Sequence, residues 1–490
     1  MMLPFGALEK DRAGIDTGLL TIAKNCYPTT IGWGPMPTLA EYGSNALPSG
    51  CLGLFFARTS SGSYLVFAAT ATKIYKLVSG AWTDYTRLAG NYATITGNLW
   101  QAAQFSSKLI LVNGSDNPQV LDVDSGATNF ADLGGSPPVA RYVWVIQDFV
   151  FLADANNRRR FVCSGFNDPT NWTIGSVFSD EFILPDGGNI AGPAALGSFG
   201  LIVQDDGKAR RLLYVEGDPN IAWRLEEISG IRGAVPGYNT IAANGRIHYL
   251  AENGPYSLDA NGTNTPLGEH RISKEFLANC DTARIDRFLG FADPYSTRLY
   301  WAYYKTVAST NYDGLLGYDY ALDRLFFVDA DAAFWAAVAI PGQTLESLDS
   351  ANPSIDAMTV SLDSRQFQGG RPTIGAATTG GKLALLSGEN ADATLRLSPV
   401  HLAPGARAML KEVYPIIDLG QDASLELYVG KQENSSKPVT WSGPHVPSPE
   451  TGIIYPRASA RLHTLELRIS GDGWTNAQAL QTTEQADGLR

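Results

Sequence analysis

Apolar residues along this chain come in short runs of strand length, broken at regular intervals by Gly, Asn, Asp and Pro. "SYLVFAATATKIYKL" from Ser63 reads as two strands and ends at the turn "SGAWTDY". "SKLILVNGSDNPQVLDV" repeats the form around Gly114 to Pro118. The same hairpin returns in "RYVWVIQDFVFLADANNRRRFVCSG", in "FGLIVQDDGKARRLLYVEG" and in "GRIHYLAENGPYSLDANG". Later copies are "TRLYWAYYKT" with "GLLGYDYALDRLFFVD", and "GKLALLSGENADATLRL".

Successive units begin roughly 40 to 50 residues apart, the period of propeller blades rather than of helical repeats. The amphipathic helices of about 10 to 15 residues that a doubly wound sheet needs between its strands are missing. The pattern predicts an all-β fold, a β-propeller of about six or seven blades. Residues 1–50, rich in Pro and Gly, read as an extended N-terminal arm, and residues 51–394 as the propeller body. "AAFWAAVAIPGQTLESLDSANPSIDAMTVSLDSRQF" breaks the period, so an irregular insertion is expected near 331–370, with a short helix around "TLESLDS" or a long loop. "RAMLKEVYPIID", "ASLELYVGKQ" and "RLHTLELRISG" then alternate as half-buried strands do. Residues 395–490 are expected to form a C-terminal β-sandwich-like domain with a polar tail after Trp474.

Composition agrees with many short elements and turns: 44% hydrophobic, 18% charged, 50 Gly and 27 Pro. The 37 Lys and Arg against 49 Asp and Glu leave a net charge of −12, which repels phosphate backbones and disfavours a DNA-gripping role. The opening "MMLPFGALEKDRAGIDTGLL" has early acidic residues and no apolar signal core. "AAFWAAVAIP" is about half of the ~20 residues a membrane span needs, so no membrane anchor is expected. Cys26, Cys51, Cys163 and Cys280 lack metal-ligand spacing and are expected reduced and packed.

Candidate chemistry is sparse. "SGFNDPTNWT", Ser164 to Thr173, suggests the Asp box of sialidase-type propellers, Ser-x-Asp-x-Gly-x-Thr-Trp, but it fails in both registers. Phe166 stands where the Asp belongs, or Thr170 where the Gly belongs. The local reading is a turn set by Pro169 and capped by Asn167 or Asp168, with Trp172 packed between blades. His248, His270, His401, His445 and His463 form no HxH or HExxH pair. The acid pairs at Asp122 and Asp329 do not continue as calcium loops. Phosphate-loop, dinucleotide and nucleophile-elbow motifs are missing, so no catalytic, metal or cofactor residue is assigned and no cofactor is expected. Two basic clusters remain: Arg158, Arg159 and Arg160 in one hairpin tip, and Lys208, Arg210 and Arg211 in the next. They read as solvated turn residues or as contacts with a neighbouring subunit or other partner.

"NCYPTTIGWGPMPTLAEY", followed in order by "YLVFAATATKIYKLVSGAWTDYT" and "WQAAQFSSKLILVNGSDNPQVLDV", resembles the N-terminal half of the tail nozzle (tail hub, tail tubular) proteins of short-tailed bacteriophages. "FVCSGFNDPTNWTIGSVFSDEFILPDGG", "LLGYDYALDRLFFVD" and "IDAMTVSLDSRQFQGG" extend the resemblance over residues 20–400. It implies a structural virion protein and not an enzyme, a homohexameric ring extending the DNA-ejection channel below the portal. Implied partners are the tail adaptor protein, a tail fibre or spike, and genomic DNA passing through the lumen without sequence-specific binding. The implied location is the virion tail, after synthesis and assembly in the bacterial host cytoplasm. One alternative is a receptor- or glycan-binding tail protein using Trp33, Trp82 and Trp441; a second is a propeller glycoside hydrolase.

Overall fold

Each hairpin repeat pairs into an antiparallel sheet of four strands. The computed structural model describes residues 1–43, 45–218, 221–340, 371–420 and 422–487. Residues 53–84, 101–132, 140–183, 190–228, 241–266 and 289–328 each supply four strands in sequence order, making blades 1 to 6. Blade 7 takes Phe334–Ala339, Pro372–Ala377 and Leu383–Asn390 from late in the chain and its outer strand, Pro37–Tyr42, from the start. The innermost strands abut one another in cyclic order, and Phe334–Ala339 meets Gly53–Arg58 to close the circle. Among the described residues this is a seven-bladed β-propeller.

The sequences of the inner strands suit crowding about the axis. Gln101–Phe105 reads QAAQF, Ile190–Leu196 reads IAGPAAL and Phe334–Ala339 reads FWAAVA, with small residues recurring where strands converge. Large aromatics fill the gaps between blades instead. Phe151 of blade 3 packs edge-on against Trp223 of blade 4 at 5.1 Å, and Phe291 of blade 6 stacks on Trp335 of blade 7 at 5.9 Å. Such pairs add to the burial that holds neighbouring sheets face to face.

The first 50 residues, expected as an arm, are extended but built into the body. Leu383, Leu385 and Leu386 pair with Tyr42, Ala40 and Leu39, so the N-terminal segment closes blade 7. Leu20–Lys24 joins blade 6 by the parallel pair Lys24↔Phe327 and meets Ala393–Leu397 on its other side. Sheet hydrogen bonding therefore runs without a break from blade 6 into the C-terminal domain. That domain is a β-sandwich shared by both chain ends. One sheet continues from Leu20–Lys24 through Ala393–Leu397, Leu462–Ser470, Ser424–Gln432 and Thr440–His445. The other holds Ala408–Leu419, Ala458–Ala460 and Trp474–Ala486 with the N-terminal Met2–Pro4, Cys26–Pro28 and Trp33–Pro35. The stretch after Trp474, read as a polar tail, is mostly this strand; a register shift between Ala477 and Ala479 lets both Ala477 and Leu480 be buried. The only helices among the described residues are the short Ser273–Ala278 and the 3-10 turn Thr282–Arg287, between blades 5 and 6. Within the expected insertion, Phe334–Ala339 is the inner strand of blade 7; the "TLESLDS" segment lies outside the described residues.

His248 of blade 5 lies buried against Tyr318 and stacks on Tyr320. Burial, with Arg246 nearby, pushes its pKa down to about 4. The unfolded chain binds a proton there below the ordinary value of 6.5, and the folded chain only below about 4. This group therefore makes stability fall as pH drops from about 6.5 to about 4. H248F keeps the stacked ring and is expected to flatten that part of the stability–pH curve in denaturant titrations; an unchanged slope would show the imidazole to be uncoupled. Deleting residues 1–42 removes the outer strand of blade 7 and the joint to the sandwich together. It is expected to lower the thermal midpoint by about 10 °C or more in calorimetry.

Candidate functional site

The two predicted basic clusters lie in corresponding hairpins of adjacent blades, and most of their charge is spent inside those blades. Ala209–Tyr214 and Trp223–Ile228 pair so that Arg210 faces Glu227 and Arg211 faces Glu226, opposite charges placed directly across the ladder. Arg210, only 7% exposed, bonds Glu227 at 2.7 Å and also pairs with Asp186. Lys208 reaches the same two carboxylates at 2.6 and 3.0 Å. Bonds from Lys208, then the pull of Arg210, hold both carboxyls below their usual range. Arg160 is divided between Asp154 at 2.9 Å and Glu181 at 2.8 Å. Arg158 and Arg159 are exposed; Arg159 reaches only the carbonyl of Pro185, at 3.4 Å. The six cations therefore do not form one open basic patch.

"SGFNDPTNWT" opens the long connection between the outer two strands of blade 3. Asp168 accepts bonds from the amide and hydroxyl of Thr170 at 2.9 and 2.7 Å, and the Thr170 hydroxyl lowers its pKa. The Trp172 indole donates to the Pro169 carbonyl at 2.9 Å and packs with Phe105, Ile110 and Leu133 of blade 2. Gly135, at φ +80, lets the linker between the blades pass close to Thr170, where an added Cβ would lie 1.7 Å from the Thr170 oxygen. Asp168 thus works as a turn former, and Trp172 joins two blades as its sequence context predicts.

The same connection carries a feature the sequence reading missed. Phe166, Ile174, Val177 and Phe178 are exposed along it, and Ile183 follows on the outer strand. Val177 and Phe178 have φ of 49° and 65°, a region that bulky side chains rarely occupy and that costs energy to hold. Only the density of apolar residues between Phe166 and Ile183 hinted at this surface, and a core strand has the same composition.

A buried cluster ties blades 3, 4 and 5 together near the start of their inner strands. The Tyr142 hydroxyl of blade 3 lies 3.0 Å from the carbonyls of both Ala191 in blade 4 and Gly237 before blade 5. Arg141 sits over Tyr142 and Tyr238 at 5.5 and 5.4 Å, and both tyrosines are buried. Elsewhere, Asp329 pairs with Lys24 and Lys305, and Asp122 caps its own turn through the amide of Asp124. No group of three His, Cys, Asp or Glu side chains among the described residues could hold a metal. No described helix is long and apolar enough to cross a membrane. Cys26, Cys51 and Cys163 are buried free thiols, and Cys280 is half-buried; burial pushes Cys51, Cys163 and Cys280 up to about 12. Of the proposed sugar-stacking tryptophans, Trp33 is fully buried and Trp82 half-buried. Trp441 is 40% exposed, with Arg396 over its ring at 4.9 Å.

Strand pairing and these contacts define the class: a closed seven-bladed propeller with a β-sandwich grown from its sixth blade. No protein-family model and no curated protein matches the chain. Among solved structures it is similar to BBS1N in its crystal structure with ARL6DN, at 10% identity and a TM-score of 0.39, covering 71% of this chain and 96% of that one. It is also similar to Kluyveromyces lactis Hsv2, at 7% identity and a TM-score of 0.31, covering 54% of this chain and 73% of that one.

Arg210→Ala leaves Asp186 and Glu227 without their buried partner and is expected to cost about 1–2 kcal/mol in chemical denaturation. Arg158→Ala is expected to stay within about 0.5 kcal/mol of the parent. Equal losses from both would contradict the assignment of Arg210 as a structural cation.

Proposed function

We propose that this chain is a structural subunit of a short phage tail, one member of the nozzle or hub ring that extends the DNA-ejection channel below the portal and adaptor. The supporting observation is the disposition of charge. The chain carries −12 overall, and four of its six clustered tip cations are held by carboxylates of their own blades. Such a surface repels a passing phosphate backbone rather than gripping it, as a conduit requires.

In this reading the protein is not an enzyme and takes no cofactor. Six copies form the ring in the virion tail, after assembly in the host cytoplasm, and they meet the adaptor and a fibre or spike. A head-to-tail ring needs two unlike faces on each subunit. The exposed apolar connection of blade 3 supplies one such face, better suited to a lasting contact than the arginine tips.

Imaging virions that carry this chain by electron microscopy tests the proposal, and density for a ring of this propeller below the portal is expected. A V177S/F178S double variant is expected to assemble into particles about tenfold less efficiently while folding normally. A chain located outside the tail, or missing from the virion, overturns the reading.

A further inference from the structure

Blades 6 and 7 and the N-terminal segment line a half-open cavity of about 380 Å³, within the range of small-ligand clefts. Its wall holds one cation and several hydroxyls that the fold leaves unused. Arg298 stacks over the Tyr27 ring at 4.0 Å and donates from Nε to Ser296 at 2.8 Å; its terminal nitrogens meet no carboxylate among the described residues. Stacked and anchored in this way, a guanidinium is held ready for a two-point bond to a carboxylate.

Tyr300 lines the same cavity and is fully buried, yet its hydroxyl has no hydrogen-bond partner; the Ser387 hydroxyl, also in the wall, has none either. Buried polar groups are rarely left unpaired without a reason. Thr373 adds a third hydroxyl, and Asn390, also in the wall, donates its amide nitrogen to the Asp472 carbonyl at 3.1 Å. Asp293 completes the lining, its carboxylate oxygens accepting the Tyr295 amide at 2.9 Å and the Ser296 hydroxyl at 2.6 Å.

We infer that this cavity binds a small hydroxylated monocarboxylate of the hexuronate type, with the ligand carboxylate on Arg298 and its hydroxyls among Tyr300, Ser387, Thr373, Asn390 and Asp293. One guanidinium matches one carboxylate. Asp293 opposes a doubly charged phosphate about twice as strongly as a single carboxylate, and Arg298 opposes an ammonium, which leaves neutral hydroxyls for the remaining acceptors. The inference is independent of the tail reading, because it rests only on residues of this cavity wall.

Calorimetric titration of the full chain with glucuronate and galacturonate tests it, with glucose and inorganic phosphate as controls. Saturable binding of at least one uronate is expected, with neither control binding. R298Q is expected to weaken it by about tenfold or more. Y300F removes a hydroxyl that nothing in the protein satisfies, so it should leave the unfolding temperature unchanged or raised and still weaken binding several-fold. S387A provides the same check should R298Q fail to fold. The inference is overturned if neither uronate binds, if phosphate or glucose binds equally well, or if the folded variants bind as the parent does.

Discussion

The structure depends on one antiparallel ladder, in which Pro37–Tyr42 lies along the outer edge of Leu383–Asn390. A propeller is a circle of sheets, and each sheet has its own hydrogen bonding, so nothing within six of the blades keeps the circle shut. Closure comes from a strand contributed by the other end of the chain. Its backbone bonds are individually worth about 1 kcal/mol, but they hold together segments more than 300 residues apart and act as a unit.

The N-terminal 42 residues carry that closure into the rest of the molecule. Leu20–Lys24 lies between blade 6 and Ala393–Leu397, while Trp33 is fully buried in the sandwich, its indole donating to the Gly6 carbonyl at 3.2 Å. Lys24 adds an ion pair to Asp329 at the same joint. Propeller and sandwich are therefore coupled through backbone hydrogen bonding and a common core rather than through a linker.

Charge is arranged with the same economy. Arg210 and Arg211 meet Glu227 and Glu226 across a ladder, so cations that look free in the string "KARRLLY" neutralise their own blade. A correct hairpin register for "KARRLLY" against "WRLEEI" would have revealed this, because facing residues follow directly from register. The exposed Phe166, Ile174, Val177 and Phe178 offered no comparable cue, since an apolar residue in a connection has the same letter whether it is buried or not.

The sequence by itself determined the all-β class, the repeated hairpin, the turn chemistry of Asp168 and Pro169 and the inter-blade role of Trp172, because each depends on residues close together in the chain. The tertiary structure decided that there are seven blades, that the N-terminal segment supplies strands as far as Tyr42 to the body, that Trp33 is buried, and that Arg298, Tyr300 and Ser387 share one cavity. Those facts rest on pairings between distant segments. Strand periodicity records which face of a strand is apolar and carries no label for the strand that will cover it.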